Sequence, residues 1–185
     1  MDLTETVTES QRLYEGRVVS LRLDSVLLPN GKPGKREVVE HSGAIAVVPL
    51  DAEGNVLLVR QFRLPTGGTL LEVPAGGIEA GEDPALAAGR ELAEEIGFVP
   101  GKLTPLYEAY VAPGYCTEKI WGYLAEDLTP APDAHTDADE FVETVPLPLD
   151  DALAAISDGR ILDMKSVACL TMAARVLAQR GIARM

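Results

Sequence analysis

The sequence is poor in basic side chains. Lysine and arginine together number 16 against 29 aspartates and glutamates, which gives a formal net charge of −13. Because nucleic-acid backbones are held mainly by lysine and arginine, this balance argues against a nucleic-acid partner. A phosphate-bearing ligand of so acidic a chain must be bound through metal ions and a few local arginines.

Cysteines, long apolar runs and repeats are also scarce or absent. Cys116 and Cys169 are too few for a disulfide framework and indicate reduced thiols. No apolar run reaches membrane-spanning length, and the acidic start Met1–Ser10 lacks the basic and apolar regions of a secretory signal. We therefore expect a cytoplasmic protein without a membrane partner. Its 185 residues, 46% of them hydrophobic, suffice for one domain with a small appendage.

One short acidic helix is predicted with both of its ends. Asp83 followed by Pro84 is typical of a helix start, and Gly97 is typical of a left-handed helix end. The helix should therefore span about Pro84–Ile96.

Three glutamates share one face of this predicted helix. Glu91, Glu94 and Glu95 stand at positions i, i+3 and i+4, so their carboxylates should lie within a few ångströms of one another. Clustered carboxylate oxygens suit a divalent cation such as Mg²⁺ or Mn²⁺. The alternative is an ordinary solvated acidic face with Arg90 as its partner.

The spacing around the helix resembles the Nudix box, the signature of enzymes that hydrolyse nucleoside diphosphates linked to another moiety. In this sequence the pattern reads Gly76, five residues, Glu82, seven residues, Arg90-Glu91-Leu92, Ala93, Glu94-Glu95, Ile96 and Gly97-Phe98.

The resemblance implies a metal site with Mg²⁺ or Mn²⁺ and more than one ion. Glu91 and Glu95 would be the principal ligands, Glu94 would bind metal or polarise water, and the carbonyl of Ala75 would be a further ligand. The remaining box residues, Gly76, Glu82, Arg90 and Gly97, would be structural, with Glu82 and Arg90 holding the loop against the helix.

The rest of the chain predicts an α/β protein. Met1–Glu9 should be frayed, and Arg17–Leu28 and Arg36–His41 should form an antiparallel hairpin around a turn rich in proline and glycine. We assign residues 1–40 to this N-terminal segment and residues 41–185 to the main domain. Further strands are expected at Ala44–Pro49, Val56–Arg60, Thr69–Val73, Leu103–Ala109, Lys119–Leu124 and Phe141–Pro146, a long loop at Glu126–Glu140, and helices at Leu149–Ser157 and about Met164–Gln179. Mixed strands and helices of this kind form an α/β sandwich. The resemblance implies the Nudix fold, an α/β/α sandwich with a mixed sheet.

Other segments resemble one Nudix subfamily, the ADP-ribose pyrophosphatases. Pro113 lies sixteen residues after Gly97, in Ala112-Pro113-Gly114-Tyr115-Cys116-Thr117-Glu118, and is similar to the proline of their marker loop. The segments Val59–Arg63, Leu71–Gly76 and Ile161–Ser166 are similar to the same subfamily. The resemblance implies hydrolysis of ADP-ribose to AMP and ribose 5-phosphate, and a homodimer that exchanges its N-terminal hairpins to complete each pocket.

The resemblance also assigns substrate contacts. Arg63 would bind the diphosphate, which suits the planar, bidentate guanidinium, and Glu118 would bind the terminal ribose. Gly114 is assigned to the same pocket. Arg36, with Arg17 or Val18 from the exchanged segment, would flank the adenine; each arginine has a solvated surface position as its alternative.

The general base is where the sequence departs from the subfamily. Ala138 stands where a catalytic glutamate often lies, and alanine cannot accept a proton. We favour Glu140 as the base, with Glu94 or Asp139 as alternatives, or no catalytic role for any loop acid.

Two other functions remain open. The chain could hydrolyse another nucleoside diphosphate sugar, such as a UDP- or GDP-sugar, because those relatives share the box. It could also be a non-catalytic ADP-ribose sensor, a hypothesis that only Ala138 supports.

Overall fold

The computed structural model describes residues 1–131 and 141–181. Within these ranges the elements follow one another as β1 (Thr6–Glu15), β2 (Ser20–Leu27), β3 (Pro33–Glu40), β4 (Ala44–Pro49), β5 (Asn55–Arg63), a 3₁₀ turn (Leu64–Thr66), β6 (Gly68–Glu72), β7 (Ala75–Gly77), α1 (Pro84–Ile96), β8 (Phe98–Tyr110), β9 (Lys119–Pro130), β10 (Glu143–Pro148), α2 (Leu149–Ser157) and α3 (Met164–Gln179).

The chain divides into two compact units. The first consists of Met1–Gly43 with Ala109–Lys119, and the second of Ala44–Glu108 with Ile120–Met185. The segment 109–119, which contains the proline-marked loop, therefore belongs with the N-terminal strands.

The first unit is built on a three-stranded antiparallel sheet in the order β1-β2-β3. Segment 109–119 lies along β3, where the Val39 N–H donates to the Tyr115 carbonyl (2.8 Å) and the Thr117 N–H donates to the Val39 carbonyl (2.9 Å). The expectation of a frayed N-terminus is wrong, because Thr6–Glu15 is a strand on one edge of the sheet. All residues of this strand are exposed, so it is held by main-chain pairing with β2. Without buried positions there is no alternation of apolar residues from which the sequence could predict it.

The second unit contains two sheets, β10-β5-β6 and β7-β4-β9-β8. The second sheet is mixed, since β4 runs parallel to β9 and antiparallel to β7. Alternate residues of β4 face two cores: Ile45 and Val47 pack with Leu92 of α1, whereas Ala46 and Val48 pack with Leu170 of α3. The sheet thus lies between α1 on one face and α3 on the other, which confirms the predicted α/β sandwich.

The predicted helices are confirmed with their caps. The Asp83 carboxylate accepts from the Ala85 N–H (2.8 Å) at the start of α1, and Gly97 ends the helix with a φ of 71°. Both C-terminal helices have the predicted bounds. None of the helices in the described ranges is long and apolar enough to cross a membrane.

Several strand bounds differ from expectation. β9 continues to Pro130, so the first part of the predicted loop Glu126–Glu140 is strand, and the Glu126 carboxylate there accepts from Lys102 and Arg180 (both 2.7 Å). No strand was predicted at β7, but Ala75–Gly77 pairs with β4. That pairing fixes Ala75 and Gly76 beside α1.

Candidate active site

The centre of the candidate site is the close approach of β7 to α1. A Cβ atom on Gly76 would lie 1.9 Å from Cδ of Glu91 and 2.0 Å from its Oε2, so only glycine leaves room for this carboxylate. The strand pair β4–β7 sets one side of the contact, and the helix face sets the other. The backbone of Gly76 therefore lies directly against the Glu91 carboxylate.

Arg90 ties the loop between β7 and α1 to the helix. Its Nε and Nη2 donate to the two carboxylate oxygens of Glu82 (both 3.0 Å), and Nη2 also donates to the Gly77 carbonyl (3.0 Å). The hydrogen bonds with Glu82 raise the pKa of Arg90 and outweigh the opposing effect of burial. The guanidinium is thus a permanent cation at the junction of loop and helix.

The same guanidinium also reaches two of the three predicted metal ligands. Nη1 of Arg90 donates to Oε1 of Glu91 (2.8 Å) and to Oε2 of Glu94 (3.0 Å). The third glutamate, Glu95, turns toward β7 and accepts from the Ala75 N–H (3.1 Å). The sequence predicted Arg90 either as a clamp of the loop or as the partner of an acidic helix face, and the structure shows both kinds of contact.

The donor set nonetheless fits a hard divalent cation. Across residues 1–131 and 141–181, no three His, Cys, Asp or Glu side chains are already gathered around one point. Glu91 and Glu95 are only 8% exposed, and the Arg90 guanidinium contacts three of the four box carboxylates, those of Glu82, Glu91 and Glu94. Glutamate oxygens on one helix face are ligands that Mg²⁺ and Mn²⁺ prefer.

Arg63, the predicted diphosphate ligand, is anchored by a buried glutamate. Its Nε and Nη2 donate to the two oxygens of Glu72 (2.9 and 2.8 Å), and Lys165 forms a short contact with the same carboxylate. The Glu72 side chain is 1% exposed, while that of Arg63 is 35% exposed. The negative charge of Glu95 also favours the charged form of Arg63, in addition to the dominant bond with Glu72, and helps to raise its pKa.

Sequence reasoning missed Glu72 and Lys165 as individual site residues. A signal was available for Glu72, since a lone charge ends the apolar strand β6 and a buried charge requires a partner. The partner was not readable, because Lys165 lies on α3, far along the sequence.

The other predicted contacts belong to the first unit. Arg36 pairs there with Glu5 and donates from Nη1 to the Lys35 carbonyl (2.9 Å). The remaining four are Arg17, Val18, Gly114 and Glu118, of which Glu118 is half-buried and the others are exposed. The structure therefore brings Ala75, Arg63 and the box glutamates together in the second unit. The five residues predicted for the adenine and ribose pocket belong to the first unit. Glu140, Asp139 and Ala138 lie outside the described residues, so the general base stays a prediction.

Comparison with known proteins gives several relatives. A Bacillus subtilis (strain 168) ADP-ribose pyrophosphatase is 40% identical over 165 residues, which cover 89% of each chain. A Bacillus methanolicus methanol dehydrogenase activator is 41% identical over 88% of this chain and 89% of its own. A GDP-mannose pyrophosphatase of Yersinia pestis (strain Pestoides F) is 37% identical over 75% of this chain and 74% of its own.

A solved structure and two domain-family models also match this chain. A solved structure described as an ADP compounds hydrolase superposes with a TM-score of 0.88 at 25% identity, covering 99% of this chain and 100% of that one. Residues 5–39 match the nucleoside diphosphate sugar hydrolase N-terminal domain. The NUDIX domain matches residues 23–164, well over half of the chain. With the glycine, glutamate and arginine contacts of the box in place, these matches show that the chain belongs to the Nudix family.

Proposed function

We propose that this protein hydrolyses the diphosphate of ADP-ribose to AMP and ribose 5-phosphate. The observation that carries the proposal is the pair of buried glutamates on α1, Glu91 and Glu95, held against β7 in a Nudix chain that is 40% identical to an ADP-ribose pyrophosphatase. Two carboxylates on one buried helix face supply the hard oxygen ligands that Mg²⁺ and Mn²⁺ prefer.

Divalent metal, Mg²⁺ or Mn²⁺ and more than one ion, is part of this proposal. Glu91, Glu95 and Glu94 would hold it together with the carbonyl of Ala75. When bound, such ions neutralise a diphosphate and lower the pKa of a coordinated water. The Nη1 group of Arg90 donates to Glu91 and Glu94, so it would share or release these oxygens on metal binding.

The chain's own groups would bind the substrate and accept the proton. Arg63 keeps its fork on Glu72 and presents the rest of a partly exposed guanidinium to the diphosphate. Glu140 is our first candidate for the general base and Glu94, 31% exposed on α1, is the alternative. In the other unit, Arg36 with Arg17 or Val18 would flank the adenine, Glu118 would contact the terminal ribose, and Gly114 would bind substrate in the same pocket.

We further propose a homodimer formed through the N-terminal strands and a cytoplasmic location. β1 is an edge strand of its sheet, and its Val7, Leu13 and Tyr14 side chains are 53%, 49% and 58% exposed. An exposed strand edge with apolar side chains is a natural surface for pairing with another chain. We also propose that residues 1–40 form the segment that completes the partner's pocket and that residues 41–185 form the catalytic domain. Two free thiols suit a reducing compartment.

A second candidate function is hydrolysis of a GDP-sugar. It is favoured by the GDP-mannose pyrophosphatase relatives, which are 37% identical to this chain. Both functions would use the same metal and diphosphate contacts. They differ in the nucleobase, adenine or guanine, that Arg36 with Arg17 or Val18 would flank.

The test is a substrate panel under identical conditions. Wild-type protein with millimolar Mg²⁺ and an added phosphatase is given ADP-ribose, GDP-mannose or UDP-glucose, and phosphate release yields kcat/KM for each. The proposal predicts the highest kcat/KM for ADP-ribose. A higher value for GDP-mannose would replace the proposal with the second candidate.

A further inference from the structure

The carboxylate of Glu72 is the most buried charged group near the candidate site. Its side chain is 1% exposed, and it holds two cations: the fork of Arg63 (2.9 and 2.8 Å) and the ammonium of Lys165. Lys165 also donates to Oδ2 of Asp163 (2.8 Å). A buried carboxylate is stable only with good compensation, and here Arg63 and Lys165 together compensate the charge of Glu72.

The first turn of α3 supplies this second cation and fixes its position. The Asp163 carboxylate accepts from the Ser166 N–H (3.0 Å) and hydroxyl (2.5 Å), which caps the helix. The same Ser166 oxygen accepts from the Val73 N–H (2.8 Å). The start of α3 thus contacts the end of β6 twice, once through Lys165 and Glu72 and once through Ser166 and Val73.

These contacts restrain the Arg63 side chain, which would otherwise sample many rotamers. The bonds to Glu72 use two of the five N–H donors of Arg63, and they fix the plane of its guanidinium. An arginine ordered before the ligand arrives loses less entropy on binding than a mobile one.

We propose that Lys165 is a positioning residue: by holding the Glu72 carboxylate in place, it keeps the guanidinium of Arg63 in the orientation that binds the diphosphate. The inference deepens the proposed function and rests on it for the identity of the bound group. It requires no direct contact between Lys165 and substrate.

The chain offers a matched control. The carboxylate of Glu126, 15% exposed, is also held by one lysine and one arginine, Lys102 and Arg180 (both 2.7 Å). Neither cation belongs to the candidate site. Lys102→Met therefore removes the same kind of contact as Lys165→Met, and Lys165→Arg restores the charge.

The experiment has one readout without substrate and one with it. In protein labelled with ¹⁵N-arginine, the Arg63 Nε–H signal, assigned through its loss in Arg63→Lys, reports the order of the guanidinium. We expect Lys165→Met to reduce the order of this signal and to raise KM for ADP-ribose about tenfold, the factor of one charge-assisted hydrogen bond, with kcat changed less than about threefold. Lys165→Arg should recover most of both effects, and Lys102→Met should show neither.

Three results would overturn the inference. The first is an Arg63 Nε–H signal that is equally ordered in wild type and Lys165→Met. The second is a loss of order with no change in KM. The third is additivity: if Lys165→Met raises KM as much in an Arg63→Lys background as in wild type, Lys165 contacts the substrate itself.

Failure of the proposed function is distinguishable from these results. It would appear as a wild-type protein that turns over no nucleoside diphosphate sugar. The Nε–H measurement would then decide alone whether Lys165 orders Arg63.

Discussion

The substitution Gly76→Ala tests whether the contact between β7 and α1 shapes the metal site. The new Cβ would lie 1.9 Å from Cδ of Glu91. Non-bonded carbon atoms need about 3.5 Å, so the Glu91 carboxylate must move by about 1.6 Å. That displacement also breaks its 2.8 Å hydrogen bond with Arg90, because such bonds do not survive beyond about 3.5 Å.

The expected effect falls on function more than on stability. The clashing atoms are the end of a flexible side chain, which can rotate away, so we expect a destabilisation of about 1–3 kcal/mol. A misplacement of about 1 Å in a reacting site can cost about 100-fold in rate, and we expect a fall of at least that size in kcat/KM for ADP-ribose. The Mg²⁺ concentration for half-maximal activity should rise, because a principal ligand has moved.

The assay compares Gly76→Ala with Gly77→Ala, its neighbour on β7. A Cβ at Gly77 would meet no atom within 4 Å, so this control makes the same chemical change without a clash. Thermal unfolding checks that both variants are folded, and turnover is measured over a range of Mg²⁺ concentrations. Activity of Gly76→Ala within about threefold of that of Gly77→Ala at equal Mg²⁺ would contradict this prediction, since the expected loss is far larger.

Three further predictions concern stability. Gly97→Ala should cost about 1–2 kcal/mol in a urea titration, because alanine is strained at a φ of 71°; an unchanged midpoint would contradict this. Gly122→Ala would place a Cβ 2.5 Å from Cε1 of Tyr107, so overpacking should cost about 1–3 kcal/mol, and a Tyr107→Ala background should remove most of that loss. Burial raises the pKa of Glu72, but hydrogen bonds from its two cations lower it more, and the net value lies below the ordinary 4.5. Its contribution to stability is therefore present above that pH and lost as pH falls through the lower folded value, so Glu72→Gln should show a shallower loss of stability in acid than wild type.

Sequence reasoning was most accurate where one local signal determined the structure. The ends of α1 followed from Asp83, Pro84 and Gly97, which act within a single turn of helix. The three box glutamates were likewise placed on one helix by their spacing alone.

It failed where distant parts of the chain supply the partner. The strand β1 is fully exposed, and no strand was predicted at β7, where Ala75, Gly76 and Gly77 carry little strand propensity. Both strands form because a neighbouring strand offers main-chain hydrogen bonds. The links from Arg63 through Glu72 to Lys165 were invisible for the same reason, since they join β5, β6 and α3.

Detection of AMP is the most direct test of whether this protein hydrolyses ADP-ribose. Wild-type protein and Glu95→Gln, which removes one carboxylate oxygen from the buried helix face, are each incubated with ADP-ribose and millimolar Mg²⁺, and the products are separated by chromatography. We expect equal amounts of AMP and ribose 5-phosphate from the wild-type protein and at least about 100-fold less from Glu95→Gln. Loss of a residue that only supports a metal ligand can already cost that much, so loss of a ligand should cost no less. Tight binding of ADP-ribose by the wild-type protein without any AMP would contradict this expectation and identify a sensor.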